Sequence, residues 1–339
     1  MTPPLFEKKN VLVTGGAGFI GSRLCEHLVK DAHVICVDNF STSTAANIEG
    51  LLQNPSFEFI NHDIIAPLDL ASFQELDRFQ FRFQGVQEIY HLACPISRKH
   101  FEHFKIASAL TNSMGTKNVL DIAVSHHAKV LYASSSVLYG TRTREDHHTV
   151  REEDPCRMDH LTSSGAYDEG KRFSEALLKT YADVYGLDVK IARLFRTYGP
   201  RMKIFDGHLL PDMVNAALDG KDIEIACRED AKMSLCYVDD MVDGLRRHMQ
   251  SPVDVTVVNL GSDEDVLLSA VAEKIIRLTS SASRIRFDAS ASILQEAPLP
   301  DLTKAKQVLH WLPLVRLEDG LEKMIAYARS ARQQHAAFT

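Results

Sequence analysis

Tyr167 and Lys171 stand four residues apart in Tyr-Asp-Glu-Gly-Lys, a spacing that places a phenol and an ammonium on one helix face. A cation beside a phenol favours the phenolate. Such a pair can remove a hydroxyl proton while hydride leaves the same carbon. The hydride needs an acceptor, and residues 11–21, Val-Leu-Val-Thr-Gly-Gly-Ala-Gly-Phe-Ile-Gly, read as the place for one. Gly15, Gly18 and Gly21 fall between an apolar run and a helical pattern that opens at Phe19 and Ile20. Glycines there allow a tight turn and close approach of the backbone to a pyrophosphate, which then faces the helix N-terminus. Asp38 ends the next apolar run. A carboxylate at that point accepts hydrogen bonds from a ribose diol and repels a 2′-phosphate, so NAD is expected rather than NADP. Asp63, after a third apolar run, is a candidate for adenine contact. Ser134, Ser135 and Ser136 close another run, and one of them can hydrogen-bond the reacting oxygen.

The elements that must carry these residues follow from periodicity. Residues 10–14 predict a strand, 19–30 a helix and 33–37 a second strand, which together make one βαβ unit. Strands at 57–60, 88–92, 129–134 and 188–194 and helices near 103–125 and 166–185 continue the alternation. Short apolar strands alternating with helices imply a parallel sheet covered on both faces. The expected fold is therefore α/β, a Rossmann-type doubly wound parallel sheet. Beyond residue 198 the segments shorten. Helices are expected at 209–218, 238–249, 266–279 and 317–332, with a strand at 255–260. They suggest a smaller C-terminal α/β lobe that binds substrate over the carboxyl ends of the strands. The division is 1–198 and 199–339, with the chain free to cross between lobes. Trp311 is expected to pack in the small lobe.

The chain has 339 residues, 45% of them hydrophobic and 24% charged, with a formal net charge of −7. An acidic balance argues against a general nucleic-acid binder. No Cys-x-x-Cys pair occurs among the six cysteines, which suits buried thiols in a reducing compartment. No apolar run has the length of a membrane span, and residues 1–9 lack the apolar core of a signal peptide. A cytoplasmic protein without membrane or nucleic-acid partners is expected. The pairs His126-His127 and His147-His148 lack further ligands at metal-site spacing, so no metal is expected. Cys94, beside Pro95, reads as lining of the cofactor pocket or as core.

These residues resemble those of an extended short-chain dehydrogenase/reductase of the NAD-dependent epimerase/dehydratase family. The likeness is carried by Thr14–Gly21, His91-Leu92-Ala93, Ser134–Ser136 with Tyr139-Gly140, Tyr167 with Lys171, Arg193 to Arg201 and Tyr237-Val-Asp-Asp240. Within the family the chain is most similar to UDP-glucuronate decarboxylases, through Asp38-Asn39-Phe40, Tyr167 to Arg172, Gly199-Pro-Arg-Met202 with Asp206-Gly207, and Pro300-Asp301 with Lys304-Ala305-Lys306. The resemblance implies tightly held NAD and a UDP-linked nucleotide sugar. It also implies a homodimer built on the helices near 103–125 and 166–185. It assigns Ser135, Tyr167 and Lys171 to catalysis and adds Asn39, Ile64, Leu92 and Ala93 to the cofactor set. Ser136, Arg196, Arg201 and His208 become substrate-binding candidates.

The departures fall in the substrate half. The family's decarboxylases and dehydratases carry Glu two residues after the catalytic Ser or Thr, where this chain has Val137. Arg196 replaces an Asn, Met233 replaces an Arg, and Leu299 replaces a basic residue. Met and Leu offer a pyrophosphate no charged donor. Arg196 can supply charge from another side; Lys203, His208, Arg228 and Lys232 are weaker candidates. All readings share one first step, oxidation of a sugar at C4 to a 4-ketone. Decarboxylation of a C5 carboxylate then needs little acid–base help, because the ketone is the electron sink. A 4,6-dehydratase needs an acidic pair that Ser136-Val137 does not provide. The expectation is UDP-glucuronate decarboxylation, with nucleotide-sugar 4-epimerisation as the alternative. An NAD-binding sensor or assembly protein with little turnover is the alternative of another class.

Overall fold

A computed structural model describes residues 8–97, 99–142, 149–162, 164–253, 256–288 and 297–338. The pair His147-His148 lies outside them. Strand β1 (Lys9–Thr14) enters the glycine turn, helix α1 (Phe19–Leu28) leaves it, and β2 (Ala32–Asp38) runs back alongside β1. Next come β3 (Phe57–Asn61), β4 (Glu88–His91), α2 (Phe101–Leu110), α3 (Thr116–His126), β5 (Lys129–Ser135), α4 (Gly165–Tyr185) and β6 (Val189–Leu194). Beyond them lie α5 (Leu209–Leu218), α6 (Val238–Met249), β7 (Val257–Leu260), α7 (Leu268–Thr279) and α8 (Leu317–Phe338). The seven labelled strands form one sheet in the order β7-β6-β5-β4-β1-β2-β3, and every neighbouring pair is parallel. The sheet is the doubly wound one that the alternating pattern implies.

Alternate residues feed opposite faces, as a pleated strand requires. Val11, Val13, Val34, Cys36 and Leu131 pack on one face with α1 and α6. Leu12, Ile35, Val37, Val130 and Tyr132 pack on the other with α3 and α4. Since β7 joins the sheet beside β6, part of the chain beyond residue 198 returns to the large lobe. Helices α5, α7 and α8 enclose a separate core through Met213, Val214, Val271, Ile275, Leu321 and Ile325. Trp311 departs from the sequence expectation. It lies in the core under α6, 1% exposed, and its indole N–H donates to the Asp240 carbonyl at 3.0 Å. The short helix Thr303–Val308 packs on β7 and carries the following residues to the sheet instead of the small lobe. The helix expected at 103–125 is also interrupted, since a π turn at Thr111–Gly115 separates α2 from α3. No helix among the described residues is long and apolar enough to cross a membrane.

Candidate active site

The parallel strands all end at one edge. There the ends of β2 and β5, at Asp38 and Ser135, open onto a cleft of about 1170 Å³ between the sheet and the small lobe. That exceeds the roughly 300–1,000 Å³ of a single small-molecule pocket. Its lining includes Gly15, Gly18, Phe19, Ile20, Gly21, Asp38, Asn39, Asp63, Ile64, Leu92 and Ala93 at one end. Ser135, Ser136, Tyr167 and Lys171 also line it, as do Arg196, Arg201 and His208. Every residue assigned from the sequence to catalysis, cofactor or substrate therefore borders the same space, whereas the weaker candidates Arg228 and Lys232 are not among its lining.

The glycine turn shows why its residue types are needed. Gly15 has φ +71°, and a Cβ there would lie 2.7 Å from the Ala93 nitrogen. A Cβ on Gly21 would lie 2.1 Å from the Gly15 carbonyl oxygen. The turn is thus pressed against the β4 end on one side and its own helix on the other. The first N–H groups of α1 have no acceptor within the helix and stand beside the cleft. Asp38 is 9% exposed and braces this arrangement. It accepts from Ala17 N at 3.0 Å, Phe40 N at 2.9 Å and Ser43 Oγ at 2.6 Å. Asn39 and Asp63 are exposed and form their own turns with Ser41 N and Ile65 N. A tight anion turn with a carboxylate one strand away fits a dinucleotide carrying a free ribose diol.

Lys171 and Tyr167 share one face of α4. The Lys171 ammonium is buried and donates to the Ala133 carbonyl at 2.7 Å. It lies 4.6 Å from the Tyr132 ring centroid and 5.8 Å from that of Tyr167. Burial lowers its pKa, against the pull of Cys94 and Glu175. The protein alone does not depress the Tyr167 pKa; the sequence expectation of a lowered value rests on Lys171 together with a positive nicotinamide ring. Burial lifts it well above the ordinary phenol value, the Cys94 thiol adds to the rise, and the hydrogen bond from Ser135 opposes it. The ammonium is spent on a backbone carbonyl, so desolvation wins. A phenol held this way needs further positive charge in the cleft to ionise.

Beneath the pair runs a polar chain. His91 bridges Thr14 Oγ1 (2.7 Å) and Thr116 Oγ1 (3.1 Å) and is held neutral, its pKa pushed down to about 3 by burial and then by Lys171. Asn112, in the π turn, accepts from the Tyr132 hydroxyl at 2.8 Å and donates to Cys94 Sγ at 3.2 Å. Sequence reasoning missed Asn112; a helical period over 103–125 conceals a π turn. It also missed the role of Glu175, which lies eight residues after Tyr167 on the same face. Glu175 pairs with Arg193 at 2.8 Å and accepts from Ser134 Oγ at 2.5 Å. Arg193 reaches on to the Tyr139 hydroxyl at 2.9 Å, and that hydroxyl donates to Asn259 Oδ1 at 2.7 Å. The spacing of Tyr167, Lys171 and Glu175 at four-residue steps was the available signal.

The substrate half is cationic but differently built. Val137 lines the cleft on the one-turn helix Ser136–Tyr139, and its N–H donates to Ser135 Oγ at 3.4 Å. Met233 is buried in the small-lobe core. Arg201, with φ +73°, pairs with Glu26, which also holds Arg23 at 2.5 Å; Nη1 of Arg201 is buried without a hydrogen-bond partner. His208 lies 3.6 Å from Asp206, whose other oxygen accepts from Ser97 Oγ at 2.6 Å. Lys203 also lines the cleft, while Arg228 pairs with Asp230 at 3.4 Å. His126 packs edge-on against Phe81.

A parallel sheet with a glycine turn, a buried carboxylate ending the next strand and a Ser-Tyr-Lys cluster at one strand edge defines an extended short-chain dehydrogenase/reductase. The sequence profile of the NAD dependent epimerase/dehydratase family matches residues 11–261. The chain belongs to that family. It is 35% identical over 331 residues to UDP-glucuronic acid decarboxylase 1 of Xenopus tropicalis, covering 97% of this chain and 74% of the relative. It is 34% identical over 316 residues to UDP-glucuronic acid decarboxylase 5 of Arabidopsis thaliana, covering 93% and 87% respectively. Among solved structures, UDP-glucuronic acid 4-epimerase from Bacillus cereus in complex with NAD superposes with a TM-score of 0.78 at 26% identity, covering 95% of this chain and 99% of that one.

Proposed function

We propose that the protein is an NAD-dependent enzyme that converts a UDP-linked sugar through a 4-keto intermediate, with UDP-glucuronate decarboxylation as its reaction. The observation that carries the reading is the convergence of the glycine turn, Asp38, Ser135, Tyr167 and Lys171 on one cleft large enough for cofactor and substrate together. The likeness to UDP-glucuronic acid decarboxylases over nearly the whole chain supports the choice of substrate.

NAD, which the glycine turn of Gly15, Gly18 and Gly21 with Asp38 would hold, would supply the acceptor for the C4 hydride and its return. Tyr167 accepts the proton of the 4-hydroxyl and gives it back, acting as general base and then acid. Ser135, which lines the cleft beside Tyr167 and lowers its pKa, holds the same oxygen and fixes its direction. Lys171 fixes the end of β5 through Ala133 and adds positive charge beneath the phenol. Once C4 is a ketone, a carboxylate on C5 is a β-keto acid, and its carbon dioxide leaves into an electron sink the substrate itself carries. Arg196, Arg201 and His208 supply charge for the diphosphate and the acid, in place of the guanidinium that Met233 lacks.

Val137 favours 4-epimerisation as the second reading, because turning the keto-sugar over and returning hydride to its other face needs no carboxylate at that position. Exposed Ile106, Leu110 and Met114 repeat at four-residue steps from α2 into the π turn, and exposed Phe173 lies on α4, which packs against α2. This apolar face supports a homodimer. The test is incubation of the purified protein with UDP-glucuronate and product analysis by mass spectrometry. Loss of the mass of carbon dioxide supports decarboxylation, an isomer of unchanged mass supports epimerisation, and untouched substrate refutes the assignment.

A further inference from the structure

Decarboxylation leaves a chemical need that Ser135, Tyr167 and Lys171 do not meet. The C5–C6 bond breaks, C6 departs as carbon dioxide, and the bonding pair passes into an enolate over C5, C4 and O4. C5 must then gain a proton to become a methylene while the 4-ketone re-forms. Ser135 and Tyr167 are engaged at O4, and Val137 on the neighbouring turn has no proton to give. An acid must come from elsewhere in the cleft.

Five carboxylates line the cleft among the described residues: Asp38, Asp63, Asp159, Asp168 and Asp206. Asp38 is committed to three donors around the glycine turn. Asp63 and Asp159 are exposed and close their own turns on Ile65 N and Leu161 N. Asp206 accepts from Ser97 and stands 3.6 Å from His208 on the loop that leads into α5, not on α4. Asp168 differs from all four. It follows Tyr167 directly on α4 and, buried like Asp38 and Asp206, receives the Ser164 hydroxyl on one oxygen at 2.8 Å.

Its direction follows from the helix. At about 100° per residue, Asp168 stands some 100° round α4 from Tyr167 and within about 20° of Glu175, two turns on. That flank faces the β5 end, because Glu175 accepts from Ser134 Oγ at 2.5 Å. Lys171, one turn nearer, reaches Ala133. Asp168 lies further towards the N-terminus of α4, the helix that packs against the turn Ser136–Tyr139 carrying Val137, and both residues line the cleft.

Resting on the decarboxylase reading, we propose that Asp168 is the acid that protonates C5. Its carboxyl donates the proton to the enolate carbon, becomes a carboxylate and is reprotonated by water. Burial raises the Asp168 pKa, the Ser164 hydrogen bond opposes the rise and the Glu169 charge adds to it, so the group can carry a proton closer to neutrality than an exposed Asp.

The test uses the full-length, cofactor-loaded protein as wild type, as Asp168→Asn and as Asp168→Asn with Val137→Glu. Each is given UDP-glucuronate in deuterium oxide, and kcat, KM and the configuration of deuterium at C5 of the product are measured. Wild type should place deuterium in a single configuration. Asp168→Asn should lose about 10²-fold in kcat, the usual worth of a general acid, with KM little changed and deuterium in both configurations. Glu at position 137 should restore rate and a single configuration in that background. The proposal is overturned if Asp168→Asn keeps the wild-type rate and configuration, or if it is inactive and Val137→Glu restores nothing. If wild type releases no carbon dioxide, the functional reading itself fails and this proposal falls with it.

Discussion

Replacing Glu175 by Ala isolates the buried contact that holds the catalytic strand end. Arg193 faces Glu175 with two nitrogens, Nη2 at 2.8 Å and Nε at 3.1 Å, and the two side chains are only 8% and 13% exposed. Burial alone would lower the Arg193 pKa, yet the Glu175 contacts win and hold it above its ordinary value. Truncating Glu175 leaves that charge buried. Breaking a buried pair from one side costs about 3–5 kcal/mol. Arg193 retains the Tyr139 hydroxyl at 2.9 Å and the Glu152 carbonyl at 3.0 Å, so the lower end, about 3 kcal/mol, is expected. With an unfolding entropy near 2.1 cal/mol/K per residue, a 339-residue chain should lose about 4 °C in Tm. Scanning calorimetry and urea unfolding read this directly. The double change Glu175→Leu with Arg193→Met removes both charges and should recover most of the loss, because the uncompensated ion is gone. A Glu175→Ala protein within about 1 kcal/mol of wild type, or a double variant no better than the single, would refute the reasoning.

Three further outcomes follow from the same geometry. Gly15→Ala forces a side chain into the left-handed region and a Cβ to 2.7 Å from Ala93 N, so it should cost more than about 1 kcal/mol and abolish co-purification of nicotinamide cofactor. His248 is buried and neutral, its pKa pushed from 6.5 to about 4 by desolvation. Because protonation favours the unfolded chain, its contribution is full above pH 6.5, falls by about 1.4 kcal/mol per pH unit down to about pH 4, and is then constant. Relative to His248→Gln, wild type should therefore lose about 2 kcal/mol between neutrality and pH 5, and parallel stability curves for the two would contradict this. If the proposed homodimer forms through this face, Ile106→Glu with Leu110→Glu should leave only monomer in analytical ultracentrifugation without unfolding the chain, since both side chains are exposed in the single chain.

Much of this site was legible because its chemistry is local in sequence. The glycine spacing, the carboxylate ending β2 and the Tyr-Lys step each declare a backbone turn or a helix face within a few residues. The alternation of strands and helices likewise foretold a parallel sheet, but the run at 255–260 was expected in the smaller lobe and instead joins the sheet as β7 beside β6. What escaped was long-range. Arg193 meets Glu175, Tyr139 and the Glu152 carbonyl only after three segments converge, and no local pattern encodes that meeting. Trp311 was misplaced for the same reason, because its partner Asp240 lies 71 residues away. The π turn around Asn112 adds a residue to a helix without disturbing its apolar period enough to be read. The direction of the Tyr167 shift depends on desolvation, which only the folded cleft reveals.

The central claim is that oxidation at C4 of a UDP-sugar acid precedes loss of its carboxylate, with the same hydride returned. The most direct measurement uses UDP-glucuronate deuterated at C4 with the cofactor-loaded protein. Absorbance at the reduced-nicotinamide band, carbon dioxide release and deuterium content of the product are followed together. The account predicts transient absorbance, release of carbon dioxide, and a UDP-pentose that keeps deuterium at C4, with all three lost in Tyr167→Phe. Carbon dioxide released without transient absorbance, or a product that has exchanged its C4 deuterium with solvent, would contradict it.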